Sequence, residues 1–279
     1  GDLRIAAAAG RLGKEGFEVY ALGLENCPAP AETTRKIDRL DLIEEFQQIV
    51  FPLPILGEAG RVNAPFAKEP INLADCLARL PAGCRLFGGQ VTEAARAAAE
   101  ERGLAWTDYY ALEELAVQGA VATAEGAVQL ALERLPVTLC GCPCLITGFG
   151  RIARALGRLL AGFGARVTVA ARRPSDREWA ASLGCRAVTL QEMDALLPGQ
   201  RLVVNTPPSL LFTEARLALL APDALLIDLA SRPGGVDFEA AGRLGVETVW
   251  ALGLPGKTAP ESAGEAIARA LAGLLSCPG

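Results

Sequence analysis

Histidine is absent from all 279 residues. That absence removes the Ser-His-Asp triad, the Cys-His pair and every imidazole metal ligand. Proton transfer must then use carboxylates, lysine, tyrosine, cysteine or water. A basic surplus is missing too: 27 Lys and Arg stand against 32 Asp and Glu, for a net charge of −5. A general nucleic-acid binder carries a basic stripe, so no nucleic-acid partner is expected. No apolar run reads as long enough to span a membrane, because Gly, Pro or Arg breaks each one, so no membrane partner is expected either. The opening stretch, GDLRIAAAAGRLGKEG, lacks the compact apolar segment of a signal peptide. The cytoplasm is the expected location. None of the eight cysteines forms a CxxC pair. In a reducing compartment they read as small buried hydrophobes.

What is present suits buried cores: 51% of residues are hydrophobic and 21% charged. Short β-rich runs alternate with Ala/Leu-rich helical stretches, the pattern of parallel sheets flanked by helices. The expected class is α/β, with two Rossmann-like domains, the C-terminal one a doubly wound parallel sheet binding a dinucleotide. The expected division is a substrate-side domain over 1–118, a connecting helix over 119–136 broken near Gly119, and a Rossmann domain over 137–279 whose last helix packs back. The first domain opens on a helix where such a sheet normally opens on a strand. A first strand is therefore expected to be missing ahead of Gly1.

LITGFGRIA supplies G-x-G-x-x-A through Gly148, Gly150 and Ala153, between an apolar strand and a helix. Gly148 permits the tight turn, Gly150 lets a diphosphate approach the backbone, and Ala153 lets the helix lie close to the sheet. The helix N-terminus favours the phosphate charge. Gly148, Phe149, Gly150, Arg151 and Ile152 are thus candidate cofactor residues. The next strand ends in Arg172, Arg173 and Ser175 with no acid at its tip, which favours NADP and leaves NAD possible. Asp176 lies just beyond. Cys140, Cys142 and Cys144 alternate and would share one face of an extended segment. They read as structural, with no metal, because histidine is lacking and Pro143 breaks the segment.

Ligands of an open α/β sheet lie beyond the carboxyl ends of its strands. Asn205 and Thr206 in NTPPS, Ser231 and Arg232 in DLASRPGG, and Lys257 in GLPGKTAPESAG all follow apolar strands. Asn205 and Thr206 can hydrogen-bond the cofactor. Arg232 can grip a carboxylate in bidentate fashion and Lys257 adds a second cation. Thr123 and Glu125 in ATAEGA offer a substrate-side hydroxyl and an acid/base.

DLASRPGGVDF followed by GLPGKTAPESAG, with GFGRIARAL upstream, ATAEGA before it and GDLR at the start, resembles the A subunit family of dipicolinate synthase over nearly the whole chain. The resemblance implies a two-subunit enzyme in the mother-cell cytoplasm of a sporulating bacterium, partnered by a flavoprotein-like B subunit. Its substrate would be a small dicarboxylate, a dihydrodipicolinate formed from 4-hydroxy-tetrahydrodipicolinate. NADP would accept the hydride, and dipicolinate would be the product. Glu125, Asn205, Ser231, Arg232 and Lys257 are then the catalytic candidates. Two alternatives stay open. One is another two-domain NADP-dependent dehydrogenase. The 2-hydroxyacid type commonly uses a catalytic histidine, which this chain lacks. The shikimate type would need a Lys/Asp pair such as Lys68 and Asp75. The other alternative is a non-catalytic nucleotide-binding subunit.

Overall fold

The computed structural model describes residues 1–28, 32–57 and 60–276. Two compact units emerge, one from residues 1–119 with 259–279 and one from residues 120–258.

In the first unit, helix α1 (Leu3–Lys14) starts where the Asp2 carboxylate accepts from the amides of Arg4 and Ile5. Strand β1 (Val19–Ala21) pairs in parallel with β2 (Thr34–Lys36). A second parallel sheet joins β3 (Gln48–Val50), β4 (Arg85–Gly88) and β5 (Trp106–Asp108). Helices α2 (Leu73–Arg79) and α3 (Glu93–Glu100) complete the unit with the chain's last helix, α10 (Pro260–Ser276). Helices α1 and α10 meet at Gly264, where a Cβ would lie 2.5 Å from Ala7 Cβ and from the Arg4 carbonyl. Tyr109 is fully buried and donates its hydroxyl to the Phe51 carbonyl at 2.9 Å.

Helix α4 (Glu113–Arg134) runs unbroken through Gly119, against the expected break. One glycine costs about 1 kcal/mol relative to alanine, and the helix formers around it outweigh that. The unit boundary nonetheless falls there. Among the described residues, α4 is the one helix long and apolar enough to cross a membrane by length and composition. The expectation that no run reaches that length is corrected accordingly. Its alanines are the reason: Ala124, Ala127 and Ala131 are buried in the core of the second unit.

The second unit contains six parallel strands: β6 (Pro143–Thr147), β7 (Arg166–Ala170), β8 (Arg186–Val188), β9 (Leu202–Asn205), β10 (Leu225–Asp228) and β11 (Glu247–Trp250). Their spatial order is β11-β10-β9-β6-β7-β8. Counted from β6, that is the doubly wound order 3-2-1-4-5-6, which reverses between β6 and β9. The strands are apolar on both faces, as a helix-covered parallel sheet requires. Cys144, Ile146, Leu202, Val204, Leu225 and Ile227 enter the core on one face. Leu145, Val203 and Leu226, the residues between them, enter the core on the other. Each such Leu, Ile or Val contributes about 1.5–3 kcal/mol on burial. Helix α5 (Arg151–Gly162) covers the first face through Leu156 and Leu160. Helix α7 (Glu214–Leu217) and helix α8 (Phe238–Leu244) cover the second through Leu217, Ala240 and Ala241. Helix α6 (Pro174–Ser182) joins β7 to β8.

Leu254–Thr258 forms a short helix, α9, before α10 begins. Helix α10, expected within the domain over 137–279 as a helix that packs back, groups with the first unit, because Gly264 lets it sit directly on α1.

Candidate dinucleotide and substrate site

Because all six strands of the second unit are parallel, the loops after them emerge at one sheet edge. Every residue named as a site candidate falls within this unit.

Gly148 has φ +79°, a backbone geometry that favours glycine, and a Cβ there would lie 2.7 Å from Thr206 Oγ1. Its amide donates to the Ala170 carbonyl at 2.9 Å, which ties the turn to β7. Gly150 caps α5 with no side-chain hydrogen bond, and nothing lies within 4 Å of a Cβ placed there. No acid stands in the first turn of α5. The turn therefore offers amides and a positive helix end to an anion. Ala153 is fully buried, and Gly157 brings the helix within 3.8 Å of Ile146, measured from a Cβ placed on it. Phe149 is also buried, so the turn can present only its backbone there. Ile152 packs partly against the same core, while Arg151 is exposed at the first helical position.

Around the tip of β7, Arg172, Arg173 and Ser175 are all exposed. Arg173 makes a bidentate pair with Asp176, with Nε to Oδ2 at 2.8 Å and Nη2 to Oδ1 at 3.0 Å. The acid beyond the tip is thus bound to the second arginine. Arg177 donates to the carbonyls of Ala171 and Arg172, both at 2.9 Å, and fixes the course of the segment. Arg177 was not foreseen. An arginine a few residues past two others, at the start of a helix, was the available signal.

Asn205 corrects the expectation that its side chain reaches a ligand. It is fully buried. Its Oδ1 accepts from Thr147 Oγ1 at 2.7 Å, and its Nδ2 donates to the Pro207 carbonyl at 3.0 Å and to Asp228 Oδ1 at 2.8 Å. Both amide protons are engaged, so Asn205 locks the tips of β6, β9 and β10 together. Thr206 adds a second link, donating to the Thr147 carbonyl at 2.7 Å. Asp228, not foreseen either, is fully buried at the end of β10. A single acid closing an apolar strand just ahead of a Gly-Gly pair was its signal.

The loop after β10 presents Ser231 and Arg232 on the surface, while Gly234 and Gly235 are buried beneath them. A Cβ at Gly235 would lie 2.2 Å from Asn205 Nδ2, so only glycine fits. The Arg232 guanidinium lies 5.5 Å from the centroid of the Trp250 ring. Trp250 stacks on Phe238 at 5.2 Å and donates Nε1 to the Ala230 carbonyl at 3.0 Å. Lys257 is exposed on α9. Helix α4 approaches α9 at Gly126, where a Cβ would lie 3.1 Å from Leu254 and Thr258, and exposed Glu125 precedes that approach by one residue.

The three cysteines do not share a face. Gly141, at φ +73°, turns the chain between them and leaves Cys140 exposed with Cys142 and Cys144 buried. Burial, with Cys142 adjacent, holds the Cys144 thiol well above its ordinary range. No metal-binding group of three His, Cys, Asp or Glu occurs among the described residues.

The glycine turn, the uncapped helix and the reversal of strand order suit a dinucleotide, and the chain is an NAD(P)-dependent oxidoreductase, as its match to an NAD binding domain shows. Residues 115–241 match the model for the NAD binding domain of D-isomer specific 2-hydroxyacid dehydrogenases. Residues 1–110 match the model for the N-terminal domain of the A subunit of dipicolinate synthase. The chain is a relative of that A subunit. It is 28% identical to the A subunit of the Bacillus subtilis (strain 168) synthase, covering 99% of this chain and 94% of the relative. The crystal structure of the corresponding Bacillus halodurans protein matches at a TM-score of 0.91 and 26% identity, covering 99% of this chain and 96% of that one. A transhydrogenase from Sinorhizobium meliloti, at 18% identity and a TM-score of 0.75 over 97% of this chain and 87% of that one, shares the fold.

Proposed function

We propose that this chain is the catalytic A subunit of a dipicolinate synthase and oxidises dihydrodipicolinate, derived from 4-hydroxy-tetrahydrodipicolinate, to dipicolinate. The ring loses two hydrogens, one as a hydride to NADP and one as a proton, and aromatisation drives the change. The bound nicotinamide supplies hydride acceptance. The protein aligns the ring and excludes water. Arg232 grips one carboxylate of the substrate, and Lys257 is the second cation for a dianion. Glu125 takes the ring proton, with a water on Ser231 as the route to solvent. The observation that carries the reading is the pairing, in one unit, of an open glycine turn under an uncapped helix with an exposed arginine held over Trp250.

NADP is the cofactor of this proposal, because Arg172 and Arg173 stand at the tip of β7. Asp176, bound to Arg173, leaves the 2′-phosphate to Arg172, Ser175 and the outer face of Arg173. The enzyme works with a flavoprotein-like B subunit in the mother-cell cytoplasm of a sporulating bacterium.

Single-turnover mixing of the isolated chain with NADP⁺ and freshly made dihydrodipicolinate tests this reading. NADPH absorbance should appear at one equivalent. Its absence both with and without the B subunit would remove the proposal, whereas activity only with the partner would make this chain a dependent subunit. Replacing both Arg172 and Arg173 with Ala should weaken NADP by about tenfold or more while sparing NAD. Equal loss for both cofactors would return the NADP assignment to NAD.

A further inference from the structure

Asp228 is a buried carboxylate without a cation. Its Oδ1 accepts from Asn205 Nδ2 at 2.8 Å and from the Ala230 amide at 3.0 Å, and its Oδ2 accepts from the Gly235 amide at 2.8 Å. Every partner is a neutral donor, a set that suits a carboxylate and leaves a carboxylic proton no acceptor. Among the described residues it forms no ion pair. A buried charge without a counter-ion is costly. Shaping the loop does not by itself require one, since a neutral acceptor could bond the same amides. The charge therefore calls for a role of its own.

Its position supplies one. Asp228 and Asn205 are register partners at the tips of β10 and β9, and Asn205 is the register partner of Thr147 at the tip of β6. The arginines of the 2′-phosphate proposal follow β7, on the opposite side of β6. A dinucleotide whose diphosphate rests on the turn after β6 and whose adenosine lies over β7 carries its nicotinamide the other way, over β9 and β10. That ring is positively charged when oxidised and neutral when reduced. We propose that Asp228 is a fixed negative charge that makes the site prefer the oxidised cofactor over the reduced one. The three neutral donors hold the carboxylate in place without cancelling its charge, and the buried setting screens it little. The inference rests on the dinucleotide reading above. It adds that the same residue favours NADP⁺ entry and NADPH departure.

The test is calorimetric, on the full chain at neutral pH and low salt, with three ligands: NADP⁺, NADPH and 2′-phospho-ADP-ribose, which lacks the nicotinamide. In Asp228→Asn the ratio of the NADP⁺ to the NADPH dissociation constant should rise about tenfold, while 2′-phospho-ADP-ribose should stay within about twofold of wild type. A merely structural role would weaken all three alike. Asp228→Ser, which leaves room for a water under the three donors, repeats the measurement should the amide not fold. A variant that keeps the wild-type ratio, or loses all three ligands together, overturns the inference. A wild-type chain that binds none of the three overturns the dinucleotide reading itself, and this inference with it.

Discussion

The two units build their sheets on different scales. In the first, β1, β2, β3 and β5 have three residues each, split between a two-stranded and a three-stranded sheet. In the second, six strands form one sheet, and β9 and β10 are buried along their whole length. The first unit relies on helix contact, α1 against α10 at Gly264, and contains a partly open, largely apolar cavity of about 260 Å³ lined by residues such as Leu12, Val19, Ile49 and Phe51. The second concentrates its buried polar groups at adjoining strand tips, where Thr147, Asn205 and Asp228 join three strands. Polar groups aligned by sheet register can be satisfied while buried, and a ligand can then be received by the loops above them. The contrast is between a unit vulnerable in its packing and a unit vulnerable in its chemistry.

The sharpest way to break that contrast is Gly264→Val. The new side chain would meet Ala7 and the α1 backbone at 2.5 Å. The helices must part, and urea unfolding should show a loss of about 3 kcal/mol. Dinucleotide affinity measured below that transition should stay within about twofold, and a joint loss would show the units are not separable in function. Gly150→Asp should do the reverse. Its Cβ meets nothing within 4 Å, so the melting temperature should hold. An acid at the helix N-terminus would repel the diphosphate and weaken NADP about a hundredfold, or about 2.7 kcal/mol, by calorimetry. Trp250→Leu removes the ring beneath Arg232. It should raise the substrate KM about fivefold, near 1 kcal/mol, with cofactor affinity unchanged. Trp250→Phe should recover most of that loss.

A last expected effect is alkaline. Burial pushes the Cys76 thiol up to about 12 and the Cys84 thiol up to about 11, both in the first unit. Folded thiols then keep protons that unfolded thiols release above about pH 8.5. Their contribution is fully present below that pH and is lost as pH rises through about 11 and 12. Urea midpoints should fall as the pH rises from 9 to 11, and Cys84→Ala should flatten that fall.

Local features were legible in the sequence. The turn at Gly148 and Gly150 depends on neighbours within a few residues. Asp176 was set beyond the tip of the strand without being paired to Arg173, although i and i+3 meet at a helix start. Asn205 was misjudged because its partners, Thr147 and Asp228, lie 58 and 23 residues away. Asp228 was overlooked because LLIDLA reads as an apolar strand, and nothing local says which strand tip will lie beside it. Cys140 and Cys144 share a face only if Gly141 is extended, and its positive φ rules that out.

By itself the sequence determined the α/β class, the dinucleotide turn and the exclusion of histidine chemistry, because backbone propensity, glycine sterics and the residue inventory are local or compositional. Only the tertiary structure decided which polar groups face a ligand and which hold the strands together. Strand order brings Thr147, Asn205 and Asp228 into contact across the sheet, and a side chain whose donors are taken by distant partners has none left to offer.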